Sequence, residues 1–104
     1  MKALEDGQLK NILTDFEYFN LCEHEGIVYG LSNYMFTTGI VVGLTKFFYE
    51  RRYCYPDLRS ASDGLIQWAA RDFKDHPPGP WIKVKGSYKG EPIDELNPEY
   101  HDTN

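Results

Sequence analysis

GIVYGLSNYMFTTGIVVGLTKFFYERRYCYP, residues 26–56, is where the pattern turns β-branched and aromatic. Side chains of this kind fit a pleated, half-buried surface. The stretch divides into GIVYGLSNYMF, TTGIVVGL and FFYERRYCY, three predicted strands joined by short connections. The second and third are expected to form an antiparallel hairpin with TKFF at its turn, and no Asn-Gly pair fixes the turn type. Pro56 ends the third strand, because a residue without an N–H and with a fixed φ stops a hydrogen-bond ladder.

A helix is predicted next, in DLRSASDGLIQWAARDF, residues 57–73. Asp57 or Ser60 can cap its start, and Ser60 with Asp63 forms a weak variant of a capping box. Leu58, Ala61, Leu65, Trp68 or Ala69, and Phe73 fall at spacings of three and four and make one apolar stripe. Gly64 inside it costs about 1 kcal/mol relative to alanine, which predicts a close approach of helix to sheet. A shorter helix is expected over residues 9–19, where Leu9, Ile12, Leu13, Phe16 and Phe19 keep helical spacing.

Pro77, Pro78 and Pro80 make residues 76–80 a stiff connector. Residues 81–86, WIKVKG, then alternate as a strand, with Trp81, Lys83 and Lys85 on one face and Ile82 and Val84 on the other. The expected role of the prolines is to set the helix exit so that this segment joins the sheet as an edge strand. The fold class is therefore α+β: a small antiparallel sheet of three to four strands with one main helix packed on it. One domain is assigned to residues 1–90, and residues 91–104 form an acidic tail too poor in apolar residues to pack, read as largely unstructured.

Charge is unevenly laid out. The chain carries a net charge of -5, and residues 1–90 balance eleven acids against all eleven Lys and Arg. The remaining five acids, Glu91, Asp94, Glu95, Glu99 and Asp102, supply the whole net charge. Residues 1–45 hold six acids to two bases and residues 46–90 nine bases to five acids, so the order is acidic, basic, acidic. A duplex DNA binder is basic overall, which argues against that class. No apolar run approaches the roughly 20 residues of a spanning helix, so no membrane contact is expected. Glu5 and Asp6 interrupt the start where a secretory signal needs apolar residues, and the expected location is the cytoplasm.

Catalytic patterns are thin. Cys22 with His24 and Cys54 with His76 lack the spacing of a zinc set; both cysteines read as reduced core thiols. TTGIVVG and GSYKG lack the phosphate-loop pattern. No metal, cofactor or catalytic residue is assigned, and the chain is read as a non-enzyme. Binding chemistry is better represented. Trp81, Lys83 and Lys85 with Arg51 and Arg52 could make a basic face with an aromatic platform, the combination that holds single-stranded nucleic acid. Lysines on an edge strand also keep sheets from pairing with one another, which needs no ligand.

YGLSNYMFTTGIVVGL, RRYCYPD with its helix to Trp68, and PPGPWIKVKG together resemble short proteins of bacteriophage and prophage genomes, over roughly residues 29–86. The resemblance brings no catalytic residues to carry over. It implies a small accessory protein that binds and inhibits a host protein complex, anti-defence proteins such as anti-CRISPRs among them. In that setting surface acids can occupy a basic channel and steer the encounter. The expected contacts are Glu91, Asp94, Glu95, Tyr88 and Tyr100, with Trp81 a further exposed anchor. A single-stranded nucleic-acid accessory protein is the alternative, and a homodimer through an uncovered sheet edge is a third expectation.

Overall fold

The alternating runs become a meander. The computed structural model describes residues 2–46, 48–85 and 100–102, and in it the elements are β1 (Lys2–Ala3), α1 (Gln8–Asp15), β2 (Phe19–His24), β3 (Ile27–Asn33), β4 (Thr38–Val42), β5 (Arg51–Tyr55), α2 (Leu58–Ala69), β6 (Trp81–Lys85) and β7 (Tyr100–Asp102). All strands pair antiparallel in sequence order, β1 through β7. The class is α+β as expected, but the sheet has seven strands and there are two helices among the described residues. WIKVK is not an edge: β6 lies between β5 and β7, and β7 comes from the segment expected to be unstructured.

Local chemistry sets the turns. Glu25 and Gly26 both take positive φ, 52° and 80°, the backbone of a two-residue turn whose twist suits a hairpin. His24 and Ile27 pair across it. β2 carries a bulge between Phe19 and Cys22, where Asn20 sits at φ 52°. α1 stops at Asp15 rather than continuing to Phe19: Glu17 turns to φ 68° and Tyr18 donates its N–H back to the Leu13 carbonyl at 3.0 Å. The hairpin of β4 and β5 forms as expected, but its connection runs from residue 43 to 50, longer than TKFF alone.

Side-chain alternation gives the sheet two faces. Tyr29, Leu31, Ile40, Val42, Tyr53 and Tyr55 form one, and α2 covers it with Ala61, Leu65, Trp68 and Ala69. Asp57 caps α2, its Oδ1 accepting the Ser60 N–H at 2.8 Å, and that hydrogen bond holds its carboxyl below the usual range. Leu58, placed on the buried stripe by its spacing, is 47% exposed, while Phe73 is buried beyond the helix end at φ 57°. The opposite face, Val28, Val41, Leu44 and Tyr49, packs with Leu4, Leu13 of α1 and Tyr18.

Gly64 does what its position predicted. A Cβ there would stand 2.6 Å from the Tyr55 hydroxyl oxygen, on a ring that is 2% exposed. That hydroxyl donates to the Pro78 carbonyl at 2.6 Å, so it has no free space to yield. Gly64→Ala should therefore lose about 1–2 kcal/mol, overpacking outweighing the ~1 kcal/mol gain in helix propensity. Urea unfolding checks the sign; a more stable variant contradicts the close contact.

The proline connector is held through its carbonyls. Three prolines leave it few N–H donors, and neighbouring side chains supply donors to the carbonyls of this stretch instead. Trp68 Nε1 reaches the Lys74 carbonyl at 3.0 Å, Arg71 the His76 carbonyl at 2.6 Å, and Trp81 Nε1 the Pro77 carbonyl at 2.7 Å. Together with Tyr55 on Pro78, these bonds fix the path that delivers β6 beside β5.

Candidate interaction surface

The expected basic platform does not assemble as read. Trp81 does share a face with Lys83, but it is the face that the helix and connector cover. Trp81 is 3% exposed and set edge-on to Tyr53 at 4.7 Å, so it offers no ring to a base and is no exposed anchor. Arg52 points to the other face and is fully buried, its guanidinium carbon 3.9 Å from the centre of the Tyr34 ring. Arg51 is half-buried; its Nε donates to the Tyr53 hydroxyl at 2.9 Å and Nη1 to Glu50 at 2.6 Å. Lys83 is half-buried opposite Tyr53, and Lys85 lies opposite Arg51 in the strand register.

Of the expected tail contacts, Tyr100 belongs to β7, opposite Lys83 in the strand register. Tyr88, Glu91, Asp94 and Glu95 lie outside the described residues. Cys22 and Cys54 are both buried, and burial pushes the Cys22 thiol above its ordinary pKa. His24 packs its ring 5.5 Å from Phe73. Among the described residues no group of three or more His, Cys, Asp or Glu could hold a metal ion, and no helix is long and apolar enough to cross a membrane.

The largest exposed apolar side chains stand together where β3 turns into β4. Met35 is 86% and Phe36 79% exposed. The turn beneath them is braced. Tyr34 N–H donates to the Thr37 carbonyl at 2.8 Å, and Thr38 Oγ1 donates to Asn33 Oδ1 at 2.9 Å. The Tyr34 ring lies on buried Arg52 and 3.1 Å from where a Gly39 Cβ would be, so a larger residue there would push it away. Two unpacked apolar side chains are thus carried on a fixed support, which lowers the ordering cost of inserting them into a partner. Thr38 pairs with Tyr55, which places half-exposed Leu58 three residues beyond the same end of the sheet.

The sequence held the signal for this tip in YMF between Asn33 and Thr37, two large apolar residues where a turn is normally polar. Reading YMF as the end of a strand concealed it. A second apolar feature is a groove of about 500 Å³ beside α2, lined by Leu21, Cys22, Leu65, Ile66 and Ala69 with Lys2, Asn20 and Ser62 at its polar margin. Comparison of the chain with protein-family models, with curated proteins and with solved structures gives no match.

Proposed function

We propose that the chain is a non-enzymatic interaction protein that binds a host protein complex as an inhibitor carried by a phage or prophage, of the anti-defence kind to which anti-CRISPRs belong. The observation that supports this reading is the braced Met35–Phe36 tip. Solvent-exposed pairs of this size are costly to keep in water and suit an apolar cleft on another protein. Binding energy concentrates in a few such anchors. The acidic segment, with Glu91, Asp94 and Glu95, has a separate role in this account: its charge steers the approach to a basic partner. The nucleic-acid alternative loses two of its five named residues, because Trp81 and Arg52 are buried.

A tagged pull-down from bacterial lysate, run with and without nuclease, tests the reading. A stoichiometric protein partner is expected to survive nuclease with the natural sequence and with Lys83→Glu/Lys85→Glu, and to be lost with Met35→Asp/Phe36→Asp. The tip variant should keep its thermal midpoint, since neither side chain is packed. Recovery of nucleic acid alone, or of proteins that nuclease removes, overturns the reading in favour of the alternative.

A further inference from the structure

The chain carries four sulfur atoms, those of Met1, Cys22, Met35 and Cys54. Met1 lies outside the described residues, and the fold separates the other three. Cys22 is 6% and Cys54 4% exposed, whereas Met35 is 86% exposed. Burial also keeps the Cys22 thiol protonated, the form that reacts poorly. Oxidation follows exposure, and for cysteine thiolate character as well. A thioether needs no deprotonation to react, so among the described residues the sulfur that a dissolved peroxide meets first is that of Met35.

That sulfur stands where a change of polarity disturbs the fold least. The hydrogen bonds that brace the turn join Tyr34 to Thr37 and Thr38 to Asn33, and neither uses a Met35 side-chain atom. The Tyr34 ring rests on Arg52, so the support beneath the tip is also independent of Met35. For a partner the same change is large, because the tip offers only Met35 and Phe36. Leucine or phenylalanine would serve equally well as an apolar anchor. Methionine differs from both in that it can be made polar and then restored.

We propose that Met35 is a reversible oxidation site that turns binding by the tip off; the inference rests on the reading of the tip as the anchor for a protein partner. The oxidant is a peroxide. A lone pair of the thioether sulfur attacks one oxygen of hydrogen peroxide, and the S–O bond forms as the O–O bond breaks. Sulfur gives up two electrons, the peroxide is reduced, and the departing hydroxide takes the proton from the transferred oxygen to leave water. The sulfoxide presents a hydrogen-bond acceptor to an apolar cleft that has no donor for it. Methionine sulfoxide reductases, one for each epimer at sulfur, return the thioether.

Peroxide treatment of the full chain, followed by peptide mass mapping, is the first readout. Met35 should gain one oxygen before Cys22 or Cys54 changes, with the thermal midpoint unaltered. Affinity of the oxidised chain for the nuclease-resistant partner should fall about ten- to 100-fold, as for a buried acceptor left without a donor, and should recover after treatment with both reductases. Met35→Leu conserves volume and apolar character and should bind like the natural sequence before and after peroxide, which also controls for oxidation of Met1. A cysteine that oxidises before Met35, an oxidised chain that binds as strongly as the reduced one, or a Met35→Leu chain that stays peroxide-sensitive overturns the switch and leaves the proposed function standing. A reduced chain that takes no protein partner overturns the proposed function and the switch with it.

Discussion

Raising the pH from about 9 to about 12 should unfold the protein, because the opposite face of the sheet buries tyrosines whose folded state disfavours the phenolate. Tyr18 is 5% exposed, and burial, reinforced by the nearby Tyr34, pushes its pKa up to about 12 against the partial relief given by Arg52. Tyr49, 3% exposed, is raised as well, again chiefly by burial, and its hydroxyl has no hydrogen-bond partner among the described residues. The ordinary phenol titrates near pH 10, so the unfolded chain releases these protons first. The stabilisation is complete below about pH 10 and is lost as the pH climbs through the raised folded values. For Tyr18 alone the two-unit difference corresponds to about 3 kcal/mol, and Tyr49 adds to it. Against the roughly 5–15 kcal/mol of a domain this size, the two should bring the transition within reach of mild alkali. Phenolate absorbance and far-ultraviolet dichroism should then change together, and Tyr18→Phe should move the midpoint to higher pH. Complete phenolate formation near pH 10, Tyr18 and Tyr49 included, without loss of structure would contradict the burial.

Trp68→Ala is the substitution expected to cost most. Trp68 is fully buried, and its indole stands edge-to-face with Tyr29 at 5.5 Å, Tyr53 at 5.6 Å and Phe73 at 5.2 Å. Truncation of a buried aromatic of this size loses about 3–5 kcal/mol. The loss also removes the Nε1 donor from the Lys74 carbonyl, so the start of the proline connector is released with it. The variant should show a large fall in its urea midpoint and faster proteolysis between residues 70 and 80. Trp68→Phe, which keeps a ring but not the donor, should fall between. A variant within about 1 kcal/mol of the natural protein would place the core elsewhere.

Much of this architecture was legible because period and chemistry agreed. The stripe Ala61, Leu65, Trp68 and Ala69 predicted α2, Asp57 was one of the two residues read as its cap, and Gly64 predicted the close contact that Tyr55 makes. The central strands followed from β-branched runs. β2 was not legible, since FNLCEH mixes polar and apolar residues and its bulge at Asn20 breaks the alternation; Phe19 also extended the helical spacing of the preceding segment. β1 and β7 have two and three residues, too few to show a period.

The candidate site was legible only in part, for a different reason. Alternation places Trp81 and Lys83 on the same face correctly, but it does not say which face the helix covers. Arg52 follows the same logic: a strand arginine between aromatic residues can lie on the surface or beneath a tyrosine, and here Tyr34 closes over it. The tip escaped because its side chains make no pattern with their neighbours. Exposure of Met35 and Phe36 depends on Tyr34 turning inward, a contact with a residue eighteen positions away.

The central claim is that the tip anchors a protein partner while the acidic segment steers it. Association and dissociation rates against the nuclease-resistant partner separate these roles most directly. Met35→Asp/Phe36→Asp should raise the dissociation rate about 100-fold, the size of a hot-spot loss. Glu91→Lys/Asp94→Lys/Glu95→Lys should instead slow association several-fold at low salt, leaving dissociation nearly unchanged, as for charges that act before contact. An unchanged dissociation rate for the tip variant would contradict the account.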